Sequence, residues 1–170
     1  MSEHESPQAL RRKWKLANAE PLEGGRRREA YRELAHGCPA FVPNLLSLSR
    51  TLLAGRHEAE DPDAAVAEAE KLLHSASDVS AGAPEPMLAL GHFLATVRRA
   101  PDEAERAYAS AASAALVLLE EAWAGWIHAL GAQGQVEAAL EVEAQARRIF
   151  PNSSAITQAV ASAQGRAGAR

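Results

Sequence analysis

Along this chain apolar positions recur at steps of three and four and seldom alternate, so the pattern predicts helices and no sheet. It is sharpest after residue 84. Met87, Leu90, Gly91 and Leu94 make one stripe, Pro101 and Asp102 suit the start of the next helix, and Ala104, Tyr108 and Ala111 continue it. A second pair of helices follows the same plan. Trp123, Trp126, Ile127 and Leu130 lie on one helix, "GAQGQ" turns the chain, and Ala139, Ala146 and Ile149 lie on the next, closed by Pro151 and Asn152. The offsets are 36 residues from Gly91 to Ile127, and 35 both from Ala104 to Ala139 and from Ala111 to Ala146. A constant offset of this size is the mark of stacked helical repeats.

Upstream the plan is looser. Leu45, Leu48, Ser49 and Leu52 pair with Ala65, Ala69 and Leu72 across the break "HEAEDPDAA", where Asp61 or Asp63 is placed to cap a helix. The stretch "SASDVSAGAPEP", small and polar with two prolines, is expected to be a flexible joint. Before it, two short helices separated at Pro21, Gly24 and Gly25 carry Trp14, Tyr31 and Leu34. At the far end "SSAITQAVASAQ" offers Ser153 or Ser154 as a cap and a stripe of Ile156, Val160 and Ala163, the design of a closing helix with a polar back.

The segment "AWAGWIHALGAQGQVEAALEVEAQARRIFPN" resembles the tetratricopeptide repeat family. Trp123 stands at the opening aromatic position, Trp126 three later, then Leu130, Gly134 at the turn, Ala139, Ala146 and a closing Pro151. It departs from the family pattern at Ile127, where a small residue belongs, and Gly125 is the nearby candidate to compensate. "PEPMLALGHFLATVRRAPDEAERAYASAASAAL" is similar, without the closing proline, and two more degenerate copies precede it. The resemblance implies an all-α solenoid of antiparallel hairpins, a right-handed superhelix with its concave side lined by the first helix of each pair. The expected division is a polar tail over 1–10, repeats over about 11–40, 41–75, 84–118 and 120–152, a cap over 153–165, and a tail over 166–170, with 11–165 as a single domain.

Composition agrees with helices: 47% of residues are hydrophobic but only 5% aromatic, so Ala, Leu and Val must fill the core. The net charge of -4 lacks the basic excess of a dedicated nucleic-acid binder. One cysteine, Cys38, excludes an internal disulfide framework. The polar start gives no secretion signal, and the apolar run from Ala107 to Leu119 stops at Glu120 and Glu121, short of the roughly 18 residues of a membrane span. These features lead us to expect a cytoplasmic protein.

Nothing in the chain matches a catalytic, phosphate-binding or zinc-binding motif, and no cofactor or metal is expected. His36 and Cys38 lack a second ligand pair, and acidic clusters such as Asp102, Glu103 and Glu105 lie at helix starts, where the macrodipole favours them. The family resemblance implies function by binding another protein. It places Arg50, His92 and His128 at equivalent groove positions of successive repeats, with Glu85, Leu88, Thr96, Glu121, Ala124 and Ala132 beside them. The expected role is an adaptor, scaffold or assembly factor whose groove takes a peptide or helix, with an acidic ligand as one form. A second reading makes the chain a structural subunit docked through its basic end. Residues 1–33 hold eight Lys/Arg against six Asp/Glu, and Arg11, Arg12, Lys15, Arg26, Arg27 and Arg28 are the candidate patch.

Overall fold

The structure is a computed structural model that describes residues 6–21 and 25–167. Every regular element among them is helical. The helices are α1 Pro7–Ala19, α2 Arg26–Gly37, α3 Val42–Ala54, α4 Pro62–Val79, α5 Pro84–Phe93, α6 Pro101–Ala132, α7 Val136–Ala146 and α8 Ser154–Ala167. A 3-10 turn over Arg56–Glu58 precedes α4, and a π-turn over Leu94–Arg98 extends α5.

Local chemistry explains most boundaries. Ser6 Oγ accepts the Ala9 N–H at 3.2 Å and Pro7 follows it, so the expected tail over 1–10 gives way to helix at Pro7; residues 1–5 lie outside the described residues. Asp61 is the cap of α4, its Oδ1 accepting the Ala64 N–H at 2.9 Å. Ser153 caps α8 through the Ile156 N–H at 3.1 Å, and that helix runs to Ala167, past the expected end of the cap at 165; residues 168–170 lie outside the described residues, as does Gly24 of the expected first break. The expected flexible joint is much shorter than its composition suggested. Residues up to Val79 continue α4, and only residues 80–83 turn, with positive φ at Ala81 and Gly82.

A larger difference lies in α6. The boundary expected between the repeats over 84–118 and 120–152 falls inside one 32-residue helix. From Ala112 to Ala124 there is neither glycine nor proline, and alanine and leucine are the strongest helix formers, so nothing local stops propagation. The chain divides into two compact units, Met1–Ala111 and Ala112–Arg170, in place of the single domain expected over 11–165.

In the first unit the core is built in two adjoining parts. Ala17, Tyr31, Leu48, Leu52 and Ala69 join α1 to α4, and Leu45, Leu73, Phe93, Leu94 and Ala104 carry the packing on through α5 to the start of α6. Polar clips set the helix order. Trp14 Nε1 donates to Ser47 Oγ at 3.1 Å, Tyr31 Oη donates to Asn18 Oδ1 at 2.6 Å, and buried Asn44 Nδ2 donates to the Tyr31 carbonyl at 2.9 Å. Burial pushes the Tyr31 phenol up from its usual range. Arg32 and Glu68 form a two-pronged pair from α2 to α4, Nε to Oε1 at 2.8 Å.

The second unit packs the C-terminal part of α6 with α7 and α8 around Ile127, Val142, Ala146, Ile156 and Val160. Trp123 meets Phe150 edge-on at 6.3 Å. Trp126, which the family resemblance places at a signature position three after Trp123, is 51% exposed, whereas Ile127 beside it is fully buried. Gly125 does not compensate for Ile127, since no heavy atom beyond its own helix backbone and neighbours would lie within 4 Å of a Cβ there. The close approach is made instead by Gly131, where an added Cβ would stand 2.4 Å from the Ala163 Cβ.

Candidate functional site

The first unit gathers five of the nine expected groove residues. Arg50 of α3, Glu85, Leu88 and His92 of α5, and Thr96 of the π-turn line one cleft of about 410 Å³. Its remaining lining is Ser49, Leu53, Leu73, Ala89 and Phe93. Phe93, 2% exposed, belongs to the core as well, so the floor of the cleft is anchored. Leu88 is 45% exposed at its wall.

The rim is polar and carries both signs. Arg50 Nη2 stands 3.4 Å from Glu85 Oε1, with both side chains largely in solvent. His92 Nδ1 shares a 2.8 Å hydrogen bond with Tyr108 Oη, and the two rings meet edge-on at 5.3 Å. Thr96 Oγ1 donates to the His92 carbonyl at 2.7 Å. Below them Arg98 lies over the Phe93 ring at 5.7 Å and grips Glu70 of α4, Nε to Oε2 at 3.1 Å.

Tyr108 fits only because residue 91 has no side chain. A Cβ on Gly91 would fall 2.8 Å from two carbons of the Tyr108 ring. Gly91→Ala is therefore expected to displace the ring from His92 and to lower stability by about 1–3 kcal/mol, read from the midpoint of urea unfolding. Phe93, Tyr108, Leu53 and Leu73 were not singled out as site residues in the sequence, where each serves equally well as core. A detectable signal was that Phe93 follows Leu90 and precedes Val97 on the same helical stripe as the buried positions.

The other four expected groove residues, Glu121, Ala124, His128 and Ala132, lie on α6 in the second unit. Ala124 packs partly against the core there; the other three are exposed. The basic end is not one patch. Arg11, Arg12 and Lys15 are exposed on α1, and Arg26 is exposed with Nε 3.9 Å from Glu20 Oε2. Arg27 is taken up by the fold, Nε donating to the Glu20 carbonyl at 2.6 Å and Nη2 to the Asn18 carbonyl at 2.8 Å. Arg28 is half-buried and shares a pocket with Arg32, Asp61 and Glu68. The tripeptide over 26–28 thus caps and packs more than it projects. Its spacing could not show this, because the acceptors are main-chain carbonyls at the end of α1.

Residues 2–81 match the sequence profile of the family described as the Myxococcota tetratricopeptide repeat protein family. Over all 170 residues the chain is also 79% identical to an uncharacterized 18.1 kDa protein in the carS 3' region of Myxococcus xanthus, with both chains covered completely. The chain belongs to this tetratricopeptide repeat family. The family profile covers the half where the general signature is most degenerate, with Pro21 shortening its first helix and a long turn before α4. Membership of a tetratricopeptide family suggests a protein-interaction module, in a class that is typically non-enzymatic. Among the described residues no helix is long and apolar enough to cross a membrane.

Proposed function

We propose that this chain is a non-enzymatic protein-binding module, an adaptor, scaffold or assembly factor of the cytoplasm, whose cleft between α3 and α5 takes a peptide or helix of its partner. The observation that carries the reading is the exposed Leu88 beside a cleft with an apolar floor and a polar rim. The floor favours an apolar anchor from the partner. The rim favours partner charges of both signs, a carboxylate drawn to Arg50 and a cation drawn to Glu85, in place of a purely acidic ligand. Exchange is easy, because an exposed ion pair such as Arg50–Glu85 is worth about 0–1 kcal/mol. The cleft is built on packed helices, so little ordering is lost on its side when the partner binds.

A photo-crosslinking side chain tests the site directly. Placed at residue 88 it is expected to give a partner adduct from cell extract, and placed at exposed Lys71 on α4 it is expected to give none. Leu88→Asp is expected to abolish capture of the same protein with its helical signal unchanged. Adducts formed from residue 71 and not from 88, or full capture by Leu88→Asp, would move the binding surface away from the cleft.

A further inference from the structure

Arg50 is a wall of two cavities, the cleft already described and a second one of about 250 Å³. The second is lined by Asn18 of α1, Arg27 and Tyr31 of α2, and Ser47, Arg50 and Thr51 of α3. Arg27 and Tyr31 belong to the second helix of a hairpin, so this cavity is not made by first-helix faces alone. Its charge is one-sided. Two guanidinium groups line it, and among the described residues no carboxylate does. Glu85, which faces Arg50 at 3.4 Å, lines the cleft and not this cavity, and Glu20 Oε2 stands 3.9 Å from Arg26. Arg27 Nε and Nη2 are held by the neutral carbonyls of Glu20 and Asn18, which orient the guanidinium while its charge meets no carboxylate among the described residues. Burial is the larger influence on the Tyr31 phenol, but the Arg27 charge pulls against it, so that charge is felt inside the cavity.

The hydroxyl groups narrow the choice of ligand. Ser47 Oγ is used on both sides, accepting the Trp14 Nε1–H at 3.1 Å and donating to the Pro43 carbonyl at 2.8 Å. Tyr31 Oη donates to Asn18 Oδ1 at 2.6 Å, and Thr51 Oγ1 donates to the Ser47 carbonyl at 2.9 Å. With their hydrogens committed, the Tyr31 and Thr51 oxygens can only accept. A ligand that matches the cavity therefore brings an anion for the guanidinium groups together with N–H donors for these oxygens. A peptide chain at an acidic residue carries both, whereas a phosphodiester carries the anion without the donors. We propose that this cavity binds the side-chain carboxylate of an aspartate or glutamate in the partner peptide, next to the apolar residue seated between Leu88 and Phe93. The proposal rests on the cleft reading and sharpens it: the acid lies on the Arg27–Arg50 side of the apolar anchor, away from Glu85.

The probes are short labelled peptides, blocked at both ends, with one central leucine and with aspartate, asparagine or lysine placed in turn at each other position. Their binding to the full chain is read by fluorescence anisotropy. Aspartate on one side of the leucine is expected to tighten binding at least about fivefold over asparagine at the same place, and added salt is expected to shrink that preference. Arg50→Gln, at an exposed position, is expected to make the aspartate and asparagine peptides bind alike. Arg27→Gln is expected to do the same. Because Arg27 also closes the end of α1, its helical signal is measured alongside, and Arg50→Gln decides the matter if Arg27→Gln does not fold. A matching set with a free C-terminal carboxylate in place of the aspartate separates an acidic side chain from a chain end. Leucine peptides that bind with aspartate and asparagine alike, an aspartate preference that survives Arg50→Gln, or a free-ended set that outbinds every aspartate peptide overturns this proposal and leaves the cleft standing. Failure of every leucine peptide to bind, together with no adduct from residue 88, removes both.

Discussion

Gly131→Ala is expected to destabilise the second unit by about 3 kcal/mol. The added Cβ would lie 2.4 Å from the Cβ of Ala163 and 2.6 Å from its Cα, so α6 and α8 must move apart. A long side chain could swing aside; a helix backbone cannot without loosening the packing around Ile127, Ile156 and Val160. Ala163→Gly should restore only part of the loss, because the main chain of residue 163 still stands 2.6 Å away after its methyl is gone. Gly165 is the internal control. It is helical, and a methyl placed there would meet nothing within 4 Å beyond its own helix backbone and neighbours, so Gly165→Ala should raise stability by about 0.5–1 kcal/mol through helix propensity alone. Hydrogen exchange of the α6–α8 amides, run beside urea unfolding, separates the second unit from the first. Equal effects at residues 131 and 165 would mean that α6 and α8 have room for a methyl between them.

Phe93→Ala is expected to cost the first unit about 3–5 kcal/mol and to abolish partner capture by the cleft. Phe93 is 2% exposed and packs with Leu45, Leu73, Leu94 and Ala104, so its removal leaves a cavity that several helices would have to close. Its ring is also the floor beside Leu88 and the platform for Arg98. Phe93→Leu keeps most of the volume and should cost less than about 1.5 kcal/mol, so stability largely returns. Capture that also returns would show that the partner needs the shape of the floor and not an aromatic ring. Retained capture by a folded Phe93→Ala chain would mean that the partner does not reach the bottom of the cleft.

How far the site was legible can be judged residue by residue. Arg50, Glu85, Leu88, His92 and Thr96 could be named together because a repeat places equivalent positions on equivalent faces, and the structure does bring them to one cleft. The pairing of Arg50 with Glu85 was not legible, since 35 positions separate them and nothing local relates them. The use of Tyr108 as a partner for His92 was also hidden. It depends on Gly91 letting the ring lie close against α5, a meeting of two helices that spacing along either one does not contain. Arg26, Arg27 and Arg28 looked alike as letters, and only the folded chain separates the exposed Arg26 from Arg27, which closes the end of α1.

By itself the sequence determined that the chain is helical and where most helices begin, because propensity, caps and apolar period are local properties that short segments carry with them. The tertiary structure alone decided that α6 runs unbroken through an expected repeat boundary, that Gly131 and not Gly125 marks the close helix approach, and that Ile127 and not Trp126 fills the core. Each of these turns on which neighbour a helix meets and at what distance, and a helix presents the same side chains to solvent or to a partner until packing chooses between them.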